Sequence, residues 1–98
     1  MEKHEVLITL HVKAGTREDF IREMLELGTA DACRAEEGNL EYSFFLSVEN
    51  PDEVLLKEAW ESRDAQQAHM KTPHMAAYKL LKDKYILGAK MNLIKTLD

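Results

Sequence analysis

The chain has 98 residues, 45% of them hydrophobic and 32% charged, which is enough for one core and too few for two. A formal net charge of -5 argues against nucleic acid or an anionic membrane surface as the main partner, since both select a basic footprint. No stretch approaches the ~20 apolar residues of a membrane span, the start Met1-Glu2-Lys3-His4-Glu5 lacks the apolar run of a secretion signal, and the single cysteine, Cys33, allows no internal disulfide and suits a reducing cytoplasm.

Alternation of Val6, Ile8, Leu10 and Val12 with Glu5, Thr9, His11 and Lys13 predicts a first strand from His4 to Lys13, ended by Ala14-Gly15. Thr16, with Asp19 three residues on, reads as a helix N-cap. The helix is expected to run to about Ala35, with Phe20, Ile21, Met24, Leu25, Gly28, Ala32 and Ala35 on one face. Its small residues at 28, 32 and 35 suggest close approach to a sheet. Glu37-Gly38-Asn39 makes a turn into a second strand, Leu40 to Glu49, with Leu40, Tyr42, Phe44, Leu46 and Val48 on one face. Asn50-Pro51-Asp52-Glu53 is a turn in which proline fixes φ and the Asn and Asp side chains bond locally. A third strand, Val54 to Trp60, completes a hairpin. Ser62 caps a short helix carrying Ala65, Ala68 and His69. Thr72-Pro73 then reads as a cap followed by proline at the first helical position. That helix carries His74, Ala77, Tyr78, Leu81 and Tyr85 on one side and ends before Gly88. A fourth strand alternates Ala89, Met91, Leu93 and Leu97 with Lys90, Asn92 and Thr96.

The order β-α-β-β-α-β predicts an α+β, ferredoxin-like fold: one domain over residues 1–98, a four-stranded antiparallel sheet with its helices on one face. Leu7, Phe45, Leu55, Ala59 and Ile94 fall on the opposite parity of their strands. An open apolar face of that extent is a liability in a monomer, so a homodimer with two sheets packed face to face is expected.

The chemistry concentrates in two segments. One is Glu36-Glu37-Gly38-Asn39-Leu40-Glu41-Tyr42; the other runs from Glu58 and Trp60 to His69 and Thr72-Pro73-His74. His69 and His74 are five apart across a proline step, and a neutral imidazole in a part-buried pocket accepts a proton near neutral pH. Glu58 shares strand parity with Trp60, which points it to the helix side, where it can orient a histidine. Trp60 and Tyr42 supply flat walls for a planar ligand. An iron site of His69, His74 and Glu58 is conceivable, but no ligand motif supports it and no metal is expected. Cys33 reads as a small buried hydrophobe.

These residues resemble the antibiotic biosynthesis monooxygenase family of small dimeric α/β-barrel proteins. Its pattern of E-x-G-[NC]-x-x-[YF], E-x-[WY] and H-x-x-T-P-H is similar to Glu36-Glu37-Gly38-Asn39-Leu40-Glu41-Tyr42, Glu58-Ala59-Trp60 and His69 through Thr72-Pro73-His74. The family commonly has proline where this chain has Glu37, a departure shared with the branch that processes phosphorylated autoinducer-2. The resemblance implies a cofactor-independent monooxygenase acting on a small electron-rich hydroxylated or quinonoid compound. Such a substrate, once deprotonated, passes an electron to dioxygen directly, so flavin and metal become dispensable. On this implication His74 or His69 is the base and Glu58 orients it, while Trp60, Tyr42, Asn39 and Tyr78 contact the substrate. Haem degradation, another branch, is disfavoured because Tyr78 and Lys79 stand where its iron-binding histidine belongs. Two other functions are compatible with the fold. One is an isomerase or degradative enzyme for a small phosphorylated carbonyl signal, with Lys57, Lys71 or Arg34 as its phosphate site. The other is a non-enzymatic dimeric ligand-binding module.

Overall fold

The computed structural model describes residues 3–94. Its order is β1 (His4–Val12), α1 (Arg17–Leu27), α2 (Thr29–Arg34), β2 (Asn39–Leu46), β3 (Glu53–Trp60), α3 (Arg63–His69), α4 (Pro73–Tyr85) and β4 (Ile86–Ile94). The strands form one antiparallel sheet in the order β2-β3-β1-β4. This is the ferredoxin-like arrangement read from the strand and helix periodicities. Leu97 and Thr96 lie outside the described residues.

Pairing of Val6 with Glu58, of Leu10 with Val54 and of Tyr42 with Glu58 puts the even-numbered residues of β1, β2 and β3 on the helix side. There Val6, Leu10, Val12, Val54, Leu56 and Trp60 are buried against Phe20, Met24 and Tyr78 from the helices. Phe20 fixes α1 on α4, its ring centroid 6.3 Å from that of Tyr78 and 6.0 Å from that of Tyr85. Ser62 caps α3 by accepting from the Ala65 N–H at 3.1 Å, and Thr72 caps α4 with Pro73 in the first turn.

Several local expectations are corrected. The first helix is broken at Gly28, which adopts φ 76° and ends α1 with its N–H on the Leu25 carbonyl. A Cβ there would meet nothing within 4 Å, so this glycine serves conformation rather than close packing. Thr16 makes no capping bond; its hydroxyl donates back to the Lys13 carbonyl, and Asp19 pairs with Arg22 instead. Strand β2 stops at Leu46, because the Ser47 hydroxyl takes the Asn50 N–H and turns the chain. Val48 is left fully exposed. The register slips between Asn39 and Glu41, which leaves Leu40 half-exposed in a bulge. Strand β4 begins at Ile86, directly after α4 and ahead of Gly88.

On the other sheet face, Leu7, Leu55 and Phe45 stand beside the ion pairs Lys57–Glu41 and His11–Glu53. Phe45 is half exposed, whereas Ala59 is buried. Ile94 pairs with Glu5 at the end of β4.

Gly38 carries the tightest steric demand. It sits at φ 85°, and a Cβ there would lie 2.7 Å from the Ala65 Cβ at the start of α3. We expect Gly38→Ala to cost about 2 kcal/mol or more, from left-handed backbone strain plus overpacking. Urea denaturation followed by circular dichroism measures this.

Candidate functional site

Strand β3 presents Glu58 and Trp60 to the helix side, two residues apart on one face. The Trp60 indole N–H donates to Glu58 Oε1 at 3.1 Å. The Glu58 side chain is only 4% exposed. Burial penalises its charge and lifts its pKa above the usual carboxylate range, opposed by the Trp60 hydrogen bond and by His69.

His69 ends α3 and is fully buried. Its ring lies against the indole, with centroids 4.7 Å apart, and meets Tyr42 edge-on at 5.6 Å. Its Nδ1 is 2.7 Å from Glu36 Oε2 and its Nε2 is 3.6 Å from Glu58 Oε1. His74, on the first turn of α4, brings its Nε2 to 2.7 Å from the same Glu36 oxygen. With Glu36 as carboxylate, an acceptor only, the ring nitrogens that face it carry protons. The Nε2 of His69 has no hydrogen-bond partner among the described residues and lies 3.6 Å from Glu58 Oε1, beyond hydrogen-bond length.

Glu36 is therefore the centre of the constellation, and it stood in the sequence only as part of the turn motif. The structure explains its placement. Gly38 lets the turn after α2 press against α3, and the Glu61 N–H bonds the Gly38 carbonyl at 2.8 Å. Glu36 is thereby brought between two rings 33 and 38 residues further on. A long-range carboxylate of this kind has no local periodicity to reveal it.

Between the sheet and helices α3 and α4 lies a cavity of about 440 Å³. Ile8, Leu10 and Leu56 form its floor, Tyr42, Glu58 and Tyr78 its inner wall, and Lys79, Lys82, Leu87 and Met91 its mouth. The Tyr42 and Tyr78 hydroxyls are buried without a hydrogen-bond partner among the described residues. Burial also raises the pKa of both phenols, so they stay neutral donors. Lys82 is half-buried, its Nζ 4.9 Å from the Tyr78 ring centroid. Burial lowers its pKa, against the pull of Glu58. Lys79 is paired with Asp83 at 3.1 Å.

The expected site residues thus divide. Glu58, Tyr42 and Tyr78 reach the cavity; His69, His74 and Trp60 join the cluster behind the wall and do not line it. Asn39 is apart, its amide donating to the Glu41 carbonyl at 3.1 Å across the bulge. Lys57, Lys71 and Arg34 do not line the cavity either. Lys57 pairs with Glu41 on the far face, and Arg34 binds Asp31 and the Tyr42 carbonyl.

Cys33, Glu36, His69 and His74 are the one group among the described residues whose donor atoms could hold a metal ion, all within 4.8 Å of one another. A ring nitrogen and a carboxylate oxygen on one zinc stand roughly 3.3 Å apart, from bonds of about 2.0 Å at a tetrahedral angle. The 2.7 Å separations here are hydrogen-bond lengths. Burial pushes the Cys33 thiol up to about 12, which keeps it protonated beside the Met75 sulfur. The cluster is built as a hydrogen-bonded array. Glu36, not Glu58, is the carboxylate between the histidines.

The model for a family described as antibiotic biosynthesis monooxygenase matches residues 4–79. A Bacillus subtilis (strain 168) protein named "Putative monooxygenase YcnE" is 31% identical over 87 residues, spanning 89% of this chain and 88% of that one. Among solved structures, Pseudomonas aeruginosa PA3566 superimposes with a TM-score of 0.88 at 20% identity, covering 100% of this chain and 97% of that one. Mycobacterium tuberculosis Rv0793 does so with a TM-score of 0.83 at 23% identity, covering 98% and 96%. At these identities the two structures speak for the fold alone.

Proposed function

The chain belongs to the antibiotic biosynthesis monooxygenase family, and from that membership we propose that it is a cofactor-independent monooxygenase for a small electron-rich hydroxylated or quinonoid compound held in the cavity beside α4. The observation that carries this reading is Glu58: a buried carboxyl of raised pKa in the wall of a mostly apolar cavity, 3.6 Å from the Nε2 of a buried imidazole. A base tuned toward neutrality and screened from bulk water suits removal of a weakly acidic proton.

Glu58 takes the proton from a ring carbon or hydroxyl of the substrate. The Tyr42 and Tyr78 hydroxyls, with no partner of their own, donate to the oxygen on which the negative charge settles. Lys82 at the mouth adds a cation whose charge, disfavoured by burial, an arriving anion stabilises. The electron-rich anion reduces dioxygen and bonds to it. A quinol so attacked becomes a hydroxyquinone: one oxygen stays on a ring carbon, the other leaves as water, and the substrate supplies all four electrons, two at that carbon and two in passing from quinol to quinone. The proton held by the protein returns to the departing oxygen. His69 serves behind Glu58, so the base assigned to an imidazole in the sequence passes in this reading to the carboxyl. An oxygen electrode with a panel of quinols tests it. The reading requires uptake above the uncatalysed rate, and a panel without any acceleration sinks it.

The same reading makes the protein a homodimer through the outer sheet face, where Leu7, Leu55 and half-exposed Phe45 form the apolar centre. Light scattering after size exclusion is expected to give twice the chain mass of 11.3 kDa. The double change Phe45→Glu, Leu55→Glu is expected to give the monomer, because it buries like charges on both copies.

A further inference from the structure

We infer that the compound taken into the cavity carries a carboxylate, which Lys82 holds at the mouth while the compound's hydroxyl lies deep, beside Tyr42, Tyr78 and Glu58. The inference rests on that cavity being the substrate site and adds what the substrate must bear. The ends of the cavity differ in chemistry. The inner wall offers two buried phenols without hydrogen-bond partners among the described residues, the floor is apolar, and the mouth holds an ammonium. A flat ring with a hydroxyl at one end and an anion at the other matches all three.

Lys82 differs from the lysines around it. The side chains of Lys79 and Lys84 are 70% and 60% exposed, and each pairs with a carboxylate, Asp83 and Glu23, at 3.1 Å. Lys82 is half-buried, and its ammonium makes no hydrogen bond or ion pair among the described residues. Its Nζ lies 4.9 Å from the centroid of the Tyr78 ring, one turn back on α4. A ring face is a weak partner for a cation and leaves its three N–H donors unspent. A lysine that serves solubility extends its ammonium into water; this one is kept at the cavity, where burial lowers its pKa. Glu58 and Asp83 pull the other way, but Asp83 is held by Lys79, and burial favours the neutral form of Glu58. The counter-charge is left for the ligand to bring.

A single ammonium selects the class of anion. A phosphate dianion draws several donors, from grouped cations or a helix N-terminus. Lys82 stands in the last turn of α4, at the negative end of that helix, and Lys79, the other lysine at the mouth, is already paired. One negative charge spread over two oxygens fits one ammonium; a dianion asks for more than the mouth offers. The formal net charge of -5 gives no long-range pull on an anion, so recognition depends on this contact.

Calorimetric titration at neutral pH tests this without turnover. The probes are 6-hydroxy-2-naphthoate, with hydroxyl and carboxylate at opposite ends of a flat ring system, the neutral 6-hydroxy-2-naphthamide, and 6-hydroxy-2-naphthyl phosphate. The wild-type chain is expected to bind the carboxylate roughly 10-fold or more tighter than the amide, the range for a hydrogen bond to a charged group. Lys82→Met keeps an unbranched stem over Tyr78 and loses the charge, so the ratio of the two affinities is expected to fall to about one. Lys82→Arg is expected to keep the preference. A wild-type ratio near one, a ratio that Lys82→Met leaves unchanged, or no binding of the carboxylate overturns the inference. Tighter binding of the phosphate overturns the choice of carboxylate.

Oxygen uptake separates the failure of this inference from that of the oxygenase reading. The quinols 1,4-dihydroxy-2-naphthoate and 1,4-naphthohydroquinone differ by the carboxylate alone. Lys82→Met is expected to raise KM for the first roughly 10-fold relative to the second. If no quinol is oxidised but the naphthoate preference depends on Lys82, the anion site stands and the oxygenase reading falls. If both quinols are oxidised and Lys82→Met shifts neither KM against the other, the oxygenase reading stands and the carboxylate falls.

Discussion

Glu58→Gln is expected to lower quinol-dependent oxygen uptake by roughly 10²- to 10⁴-fold, the range lost with a positioned general base. Ligand affinity is expected to hold, because the amide keeps the size of the side chain and still accepts from the Trp60 N–H, now 3.1 Å from Glu58 Oε1. Quenching of Trp60 emission by the ligand measures that affinity separately from turnover. The same substitution has a stability signature. Burial raises the carboxyl pKa in the folded chain above its unfolded value, so the folded state binds this proton more tightly. Its stabilising contribution is complete below the unfolded pKa and is lost as pH rises through the raised one. Glutamine carries no charge to bury, so Glu58→Gln is expected to raise the thermal midpoint at neutral pH and to leave it nearly unchanged under acid. Wild-type activity is expected to run the other way, rising with pH as Glu58 ionises. An active Glu58→Gln enzyme would remove the carboxyl from the mechanism.

The sequence disclosed what depends on local pattern. Val6, Ile8, Leu10 and Val12 revealed β1 because one face of the sheet is buried and the side-chain period is two. The Asn50-Pro51-Asp52 turn and the Ser62 and Thr72 caps were legible because each acts within a few residues. Parity alone placed Glu58 and Trp60 on the helix side. Gly28 was misread because a helical face accommodates a small residue equally well whether the helix continues or stops; only the φ of 76° decides. Glu36 went unassigned for a different reason. Its partners are 33 and 38 residues away, and the approach depends on Gly38 against Ala65, a contact with no trace in periodicity. Depth was also hidden. The motif grouped His69, His74, Trp60 and Glu58, but which of them reaches the cavity depends on how α3 and α4 sit on the sheet, and only Glu58 does.

Trp60 couples stability and chemistry, and its two truncations separate them. The residue is fully buried, and Trp60→Ala is expected to cost about 3–5 kcal/mol, the range for emptying a large aromatic site in a core. Trp60→Phe retains a ring against His69, where the centroids now lie 4.7 Å apart, and loses the N–H to Glu58. It is expected to cost about 1–2 kcal/mol for the lost charge-assisted bond. Both costs are read from urea denaturation by circular dichroism. The kinetic consequence has a defined sign. The indole N–H stabilises the ionised carboxylate and holds the Glu58 pKa below where burial alone would set it. Phenylalanine supplies no donor, so the carboxyl pKa climbs further and the rising limb of the oxygen-uptake profile moves to higher pH, with the plateau rate largely retained. The cost of Trp60→Phe also shrinks toward acid, where a neutral carboxyl has less need of the donor. A limb that stays in place would mean that the indole serves packing alone and that Glu58 is tuned by burial without it.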